Sequence, residues 1–420
     1  MRALLKKLLR LAGYVLGAVV VLAGILAAYV QIDGIPKYPH ETPQLTIVST
    51  PASVARGKRL ASMLCNECHL SSETNQLTGK HLTELPEEFG DVYSKNITRH
   101  PEMGVGKWTD GELAYFLRTG VRPDGQYVPP WMVKLPHLSD DDLGAIISFL
   151  RSDDPVVAPS PAPPLGTTKP SFLAKALAHG VFGPLPYPSE RIPTPPLSDR
   201  VAYGRYLTVA LDCFSCHSAD FKTMNIMEPE KTPGYLGGGN TLQDAEKKAI
   251  HSANLTPDDE TGIGRWTEED FARAVTTGVR PDGRVLHYPM LPKTELEPDE
   301  VGAIYAYLRT VPKIHNAVER PAAVLATTAA AGSHPGKRIY QKYGCGSCHG
   351  ENGIGLVGDL RGANEHFAND AALRAWIEDA PRQKPGTKMP PWKGVIRDED
   401  YAPLMSYVRT LARPGKSASL

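Results

Sequence analysis

The sequence is poor in cysteine, and it has no cysteine outside one short motif. Its 420 residues contain 6 Cys, and each belongs to a C-x-x-C-H pattern. A zinc site would need two C-x-x-C pairs at suitable spacing, but these pairs lie well over a hundred residues apart. A thioredoxin-like disulfide would not need a histidine after each pair. The distribution of cysteine therefore argues against structural zinc and against a simple redox disulfide.

The sequence also has no excess of either charge. Lys and Arg number 46, and so do Asp and Glu. The first 30 residues hold four bases and no acids, which leaves 42 bases and 46 acids in the remainder. This slightly acidic remainder gives no support to nucleic-acid binding and weakly favours a basic redox partner.

The C-x-x-C-H pattern is the attachment signature of c-type haem. The two thiols add across the vinyl groups of the porphyrin, and the histidine becomes the proximal ligand of the iron. Because the pattern occurs three times, the sequence predicts three covalently bound haem c groups. Their attachment residues are Cys65, Cys68 and His69; Cys213, Cys216 and His217; and Cys345, Cys348 and His349.

One hydrophobic run is long enough to form a membrane-spanning helix. Residues 11–30 carry no charge, and a helix of that length spans about 30 Å, the thickness of a bilayer core. Four bases precede the run: Arg2, Lys6, Lys7 and Arg10. They predict a cytoplasmic N-terminus and an exported, periplasmic remainder after Asp33. A cleaved signal peptide is the rival interpretation. The length of the run and the lack of a clean A-x-A exit favour an uncleaved anchor.

The chain contains an internal repeat. Segments that begin at Asn96 and Asn254, 158 residues apart, align without a gap through Trp108/Trp266 and Met132/Met290. The two tryptophans are expected either at a haem edge or in an ordinary core. The alignment predicts two sibling modules and a third, more compact one.

Each module is predicted to open and close with a helix. Small residues on the opening helices would let another helix approach closely: Gly57, Gly204 and Gly336. The closing helices share an aromatic at one place: Phe149, Tyr307 and Tyr407. We expect opening caps at Thr50, Ser198 and Ser333, and a capping box between Ser139 and Asp142.

Proline-rich stretches separate the modules and are predicted to be extended spacers. The first of them includes "KPSFLAKALAHGVFG", which is predicted to form a short amphipathic helix. The predicted fold is all-α, an N-terminal transmembrane helix followed by three small cytochrome c domains. The predicted organisation is anchor 1–30, linker 31–50, domain 51–152, linker 153–197, domain 198–313, linker 314–332, domain 333–413 and tail 414–420.

The second axial ligand of each iron decides its chemistry. A methionine thioether favours ferrous iron and raises the potential. Methionines flanked by prolines precede each closing helix, and these are the predicted ligands: Met132, Met290 and Met389. Met103 has Thr261 as its repeat equivalent, and Met405 falls on a closing helix, where a core role is expected. Bis-histidine ligation through His137 or His287 is the alternative.

With these residues in place, the chain resembles the multihaem class I cytochrome c family. Its second module, "NLTPDDETGIGRWTEEDF…GVRPDG…YPM", is similar to the haem modules of the three-haem cytochrome subunits of bacterial membrane-bound alcohol and gluconate dehydrogenases. The resemblance implies all-α domains, His/Met ligation and electron transfer. The chain departs from those subunits in its apparent uncleaved anchor and its long proline-rich linkers.

Three functions follow as hypotheses. The first is a membrane-anchored, periplasmic, three-haem electron carrier that serves periplasmic or membrane redox proteins and is not itself an enzyme. The second is a subunit that passes electrons from a dehydrogenase to quinone or a terminal oxidase. The third is a peroxidase-like multihaem enzyme with one open iron, which a high-spin haem would reveal.

Overall fold

The structure, a computed structural model, is helix-rich and has only short strands. It describes residues 2–71, 73–82, 85–243, 248–284, 286, 289–318, 334–349, 353–355, 358–384, 387 and 389–411. The helices in these ranges are α1 (Arg2–Asp33), α2 (Pro51–Leu64), α3 (Asn66–His69), α4 (Asp110–Thr119), α5 (Asp140–Arg151), α6 (Phe172–Gly180), α7 (Arg200–Ala210), α8 (Cys213–His217), α9 (Glu268–Thr277), α10 (Pro298–Leu308), α11 (Pro335–Lys342), α12 (Gly346–His349), α13 (Ala363–His366), α14 (Asp370–Glu378), α15 (Ala380–Gln383) and α16 (Asp398–Thr410).

In the described part of the chain, the strands form three antiparallel pairs. They are β1 (Gly90–Asp91) with β2 (Lys169–Pro170), β3 (Thr241–Gln243) with β4 (Ala249–His251), and β5 (Ile354–Gly355) with β6 (Gly358–Asp359). Strands this short cannot form a sheet with its own core. The helices therefore supply the packing, in agreement with the helical content of the predicted fold class.

Helix α1 contains the predicted hydrophobic run. Among the described residues it is the one helix long and apolar enough to cross a membrane, with a mean hydropathy of 2.4. Its leucine, valine and isoleucine side chains are mostly exposed along the length of the helix. An exposed surface of this kind suits lipid rather than water.

The chain divides into two compact units. The first comprises Met1–Gly57, Cys68–Pro136 and Leu143–Arg191. The second comprises Lys58–Glu67, His137–Asp142 and Ile192–Leu420. The predicted boundaries of three domains stay a prediction.

In the first unit, the glycine of the opening helix lies against a closing helix, as predicted. A Cβ added at Gly57 would lie 1.8 Å from the carbonyl oxygen of Ala145. The backbones therefore touch at a distance that only glycine allows. The segment predicted as the first spacer is also packed against this unit, because Val157 is fully buried and Gln76 Nε2 donates to the Pro155 carbonyl at 3.1 Å. The short helix predicted within that segment is α6.

The second unit repeats the same crossing twice. A Cβ at Gly204 would lie 1.8 Å from the Ala303 carbonyl oxygen, and one at Gly336 would lie 1.9 Å from that of Pro403. The aromatic of the closing helix lies beside the last of these glycines, since the added Cβ would be 2.5 Å from the Tyr407 Cβ. The predicted approach of opening and closing helices is confirmed at all three glycines.

Helices α4 and α9 occupy equivalent places in the repeat and begin in the same way. Thr109 caps α4 in a capping box with Glu112, and Thr267 caps α9 in a capping box with Asp270. Both helices end at a left-handed glycine, Gly120 and Gly278. The sequence repeat is thus a repeat of local structure.

One of the predicted opening caps needs correction. Thr50 accepts from the Ser53 N–H at 3.1 Å, as expected. The cap of α7 is Asp199 rather than Ser198, because the Asp199 carboxylate accepts from the Ala202 N–H. Ser333 lies outside the described residues, and His334 caps α11. The predicted Ser139 cap is present, with its hydroxyl accepting from the Asp142 N–H at 3.2 Å.

Within the second unit, two contacts join the first repeat to the second in a reciprocal way. Arg59, from the opening helix of the first module, donates to Glu297 at 2.8 Å and to the buried Glu300 at 2.5 Å. Its equivalent Tyr206, from the opening helix of the second module, donates to the buried Asp142 at 2.6 Å. In each pair, the opening helix of one module reaches the cap of the closing helix of the other.

Candidate cofactor sites

The three C-x-x-C-H motifs all form a short helical turn. In the second motif, α8 runs from Cys213 to His217, which places the two thiols and the imidazole three and four residues apart on one face. The residue before this turn, Asp212, is left-handed at φ 59°, and Gly344 holds the same place in the third motif at φ 66°. The chain therefore turns sharply between the opening helix and the attachment turn.

The proximal histidines of the first two motifs are held by equivalent hydrogen bonds. His69 Nδ1 lies 2.7 Å from the Lys95 carbonyl oxygen, and His217 Nδ1 lies 2.8 Å from that of Ala253. A carbonyl oxygen only accepts, so Nδ1 carries the proton and Nε2 presents its lone pair. This is the arrangement expected of a histidine that binds a metal.

Sequence reasoning missed the residues that hold these carbonyls in place. Asn96 Oδ1 accepts from the Thr98 N–H at 2.9 Å and from its hydroxyl at 2.7 Å. Asn254 Oδ1 accepts from the Thr256 N–H and hydroxyl at the same two distances. The signal was present as "NIT" and "NLT" directly after the accepting residues, at the start of each repeat.

Burial controls the protonation of the attachment residues. It lowers the pKa of His69 and of His217, although the carbonyl hydrogen bond opposes the shift in each, so the neutral imidazole is favoured. It raises the pKa of Cys213 to about 11 and that of Cys216 to about 12. Before any covalent attachment, burial therefore favours the neutral thiol at Cys213 and Cys216.

The carboxylate of Glu67, which lies between the cysteines of the first motif, is among the smaller causes that raise the pKa of Cys216; burial and the Asp212 charge are larger. Glu67 and Cys216 both belong to the second unit. Part of the first motif is therefore within electrostatic reach of the second.

The third motif borders a cavity. The cavity is lined by Cys345, His349 and Met389, together with aromatic and aliphatic side chains that include Phe367, Trp376 and Trp392. The structure therefore brings the predicted proximal histidine and the predicted methionine ligand to one apolar cavity. This donor set and lining are chemically suited to a mostly apolar group with iron at its centre. The side chain of Cys348 lies outside the described residues.

The other two predicted methionine ligands lie in loops before the closing helices. Met132 and Met290 are both half-buried, and the Met132 N–H donates to the Pro129 carbonyl at 3.2 Å. Their pairing with His69 and His217 stays a prediction. Met405, by contrast, is 6% exposed on α16, which is the core position expected for it.

The histidine alternative has less support. His137 Nε2 lies 2.7 Å from the Ile226 carbonyl oxygen, to which it donates, so this nitrogen is already engaged. Only Nδ1 of His137 would remain to bind iron. His287 lies outside the described residues.

The paired tryptophans make ordinary packing contacts. Trp108 lies edge-on to Phe116 with ring centres 5.4 Å apart. The carbonyl of Trp266 accepts from the Tyr305 hydroxyl at 2.6 Å, and the Arg280 guanidinium lies 5.9 Å from its ring centre. Both tryptophans are half-buried, and the choice between a haem edge and a core stays open.

Comparison with known proteins gives one family match. Residues 331–408, which include the third motif, match the family described as "Cytochrome C oxidase, cbb3-type, subunit III". The match leaves out the first two modules and so describes only the compact third one.

Curated relatives align with most of the chain. It is 28% identical over 382 residues to a nicotinate dehydrogenase subunit of Pseudomonas putida, covering 85% of this chain and 30% of that protein. It is 25% identical over 386 residues to the cytochrome c subunit of alcohol dehydrogenase (quinone) of Gluconobacter oxydans, covering 85% and 78%. The fructose dehydrogenase cytochrome subunit of Gluconobacter japonicus is 29% identical over 282 residues, covering 63% and 54%. The chain thus spans less than a third of the first relative's length and just over half of the third's.

Proposed function

We propose that the chain is a multihaem cytochrome c, a membrane-anchored electron-transfer protein with three covalently bound haem c groups. The observation that carries the proposal is the equivalent hydrogen bonding of His69 and His217. Each imidazole is fixed in the tautomer that leaves Nε2 as a ligand.

Each motif would hold its haem in the same way. Thioether bonds would form at Cys65 and Cys68, at Cys213 and Cys216, and at Cys345 and Cys348. The proximal ligands would be His69, His217 and His349, and the opposite ligands Met132, Met290 and Met389. Haem c supplies a one-electron couple between ferric and ferrous iron.

The chain's own residues set the conditions for that couple. The apolar lining of the third cavity excludes water and leaves the site with a low local dielectric. A thioether from Met389 would favour the ferrous state and raise the potential of the third site. The carbonyls of Lys95 and Ala253 orient the first two imidazoles and raise their basicity as ligands.

The proposed location rests on α1. The bases before its apolar part favour a cytoplasmic N-terminus, which leaves the three motifs in the periplasm. Domain boundaries near 51–152, 198–313 and 333–413 give each motif an opening and a closing helix. The helix crossings at Gly57, Gly204 and Gly336 support this division.

We propose a dehydrogenase as the electron donor. The three relatives reported above are described as dehydrogenase subunits, and two of the three as cytochrome subunits. The acceptor would be quinone or a terminal oxidase. The match of residues 331–408 to a subunit of a cbb3-type oxidase supports the oxidase as acceptor and the third module as the point of exit.

The test is to purify the full chain from membranes of a bacterium that carries the haem-ligation machinery. Intact mass should exceed the polypeptide by three haems, and Cys213→Ser with Cys216→Ser should remove one of the three. Magnetic-resonance spectra should show low-spin iron only. A colourless protein would overturn the proposal, and a high-spin haem that binds added ligands would favour the peroxidase-like alternative.

The partner is tested by co-purification. A tagged chain isolated in mild detergent should retain a flavin- or quinone-containing subunit, and adding that subunit's substrate should reduce the haems. If the isolated haems stay oxidised with every retained subunit, the chain is a free carrier rather than a dehydrogenase subunit.

A further inference from the structure

Helix α6 lies beside the last turns of α1 in the first unit. Lys175 Nζ donates to Gln31 Oε1 at 3.1 Å, and His179 Nε2 lies 3.2 Å from the Gly34 carbonyl oxygen. The rings of Tyr29 and His179 meet edge-on with centres 5.4 Å apart. The end of the apolar helix is therefore in direct contact with α6.

These contacts set the level of α6. Lys175 meets Gln31, while His179 meets both Tyr29 and Gly34, so α6 lies level with residues 29–34 at the end of α1. The start of α6 is held by Ser171, whose hydroxyl accepts from the Ala174 N–H at 3.1 Å and donates to the Glu88 carbonyl at 2.5 Å.

The exposed face of α6 carries larger apolar side chains than its buried face. The inward residues are small, with Ala174 at 1% and Ala178 at 0% exposure. The outward residues are large and apolar, with Phe172 at 49% and Leu173 at 46%, and Val181 follows at 71%. A helix at an aqueous surface normally shows the opposite distribution.

The position of α1 identifies what covers this face. If residues 11–30 fill the bilayer core, Tyr29 to Gly34 lie at its outer boundary, and so does the helix in contact with them. Tyr29 and Lys175 are residue types that favour this boundary. A short helix with large apolar side chains at this depth meets acyl chains and headgroups.

We propose that the start of α6, together with Val181, inserts into the outer lipid boundary beside α1. The first unit is then docked on the membrane surface and not carried away from it on a free spacer. The lipid would contact Phe172, Leu173 and Val181, while Ala174 and Ala178 stay packed on the protein.

The test uses single cysteines in the full chain reconstituted in nanodiscs of phosphatidylethanolamine and phosphatidylglycerol. It rests on the proposed function in one respect, since haem attachment occupies the six native cysteines and leaves an introduced one as the reactive thiol. Leu173→Cys and Val181→Cys are each labelled with a nitroxide. Met103→Cys is the matched control, because Met103 is 47% exposed in the same unit.

Collision rates with oxygen and with a water-soluble nickel complex report depth in the membrane. Labels at 173 and 181 should collide several-fold more with oxygen than with nickel, and the label at 103 should show the reverse. Equal nickel access at all three positions would overturn the proposal, and so would a failure of the protein to enter nanodiscs. Broadening that depends on protein concentration would indicate a second copy instead of lipid, and would overturn it as well. A complete haem spectrum with aqueous labels would reject the docking while leaving electron transfer intact.

Discussion

Single side chains decide how each iron site behaves, and Met389 is the clearest case. It lines the same apolar cavity as His349 and Cys345, whereas Met405 lies in the core on α16. Both are buried or half-buried methionines of the same module. They differ in whether the sulfur borders the space that a haem would fill.

Replacing Met389 should therefore change one haem and leave the other two as they are. Met389→Leu is expected to remove one sulfur-to-iron charge-transfer band from the near-infrared spectrum and to lower one reduction potential, because the thioether favours ferrous iron. Met405→Leu conserves volume and should change neither property. The measurement is a spectropotentiometric titration of each variant. If Met389→Leu and Met405→Leu had the same effect on the charge-transfer band and on the potential, the assignment of Met389 as the iron ligand would be wrong.

Asp212 gives the second attachment turn a dependence on pH. Its carboxylate accepts from the Ser215 hydroxyl at 2.7 Å, and burial raises its pKa to about 6, above the ordinary 3.8. A carboxyl group with a raised pKa stabilises the fold below pH 4, and that contribution is lost as the pH rises through 6. At neutral pH, the ionised carboxylate of Asp212 therefore lowers the stability of the fold.

Asp212→Asn should remove this loss, since asparagine also tolerates left-handed backbone. The variant should unfold like the parent near pH 4 and be more stable by about 1–3 kcal/mol at pH 7. Asp270→Asn is the control of opposite sign, because hydrogen bonds from Thr267 lower the pKa of Asp270. Its destabilisation should be present at pH 7 and fade as the pH falls. If the stability difference between Asp212→Asn and the parent were the same at every pH, the raised pKa of Asp212 would be contradicted.

Helix packing is where the sequence was most informative. Gly57, Gly204 and Gly336 were recognisable because each lies on an opening helix at an equivalent place, and the structure puts a carbonyl within 1.9 Å of each added Cβ. Helix α6 was also predictable, since it depends on local pattern. Local signals of this kind specify helices and their close approaches well.

Contacts between distant segments were not predictable. The cap of α7 moved from Ser198 to Asp199 because two adjacent residues could both cap, and only the backbone geometry selects one. The packing of Val157 depends on the first unit, which a proline-rich composition does not reveal. The positions of Lys95 and Ala253 follow from the path of the chain, although the repeated Asn and Thr after them mark the place.

The helix crossing provides a test with an internal control. Gly204→Ala should destabilise the second unit by about 3 kcal/mol or more, because the new Cβ would meet the rigid Ala303 backbone. Gly302→Ala should be neutral or stabilising by up to about 1 kcal/mol, since alanine favours the helix. At that position the Cβ meets only the ends of the Arg200 and Glu268 side chains. Guanidinium unfolding of both variants measures the difference. Equal stabilities would show that the crossing is loose.

The second unit is held together by the reciprocal contacts of Arg59 and Tyr206. Arg59 reaches Glu300, which is 5% exposed, and Tyr206 reaches Asp142, which is also 5% exposed. The two residues are equivalent in the repeat, and each binds an acidic residue at an equivalent cap.

Removing Arg59 should be costly because it leaves the charge of Glu300 buried without the guanidinium. Arg59→Met is expected to lower the free energy of unfolding of the second unit by about 3–5 kcal/mol, and Glu300→Gln in the same chain should restore a large part of it. Arg205→Met is the matched control, since Arg205 pairs with Glu230 at 2.6 Å where both side chains are exposed. It should cost at most about 1 kcal/mol. The three variants are compared by guanidinium unfolding followed through helix content. Equal losses for Arg59→Met and Arg205→Met, or no recovery in the double variant, would show that the reciprocal contact does not hold the second unit together.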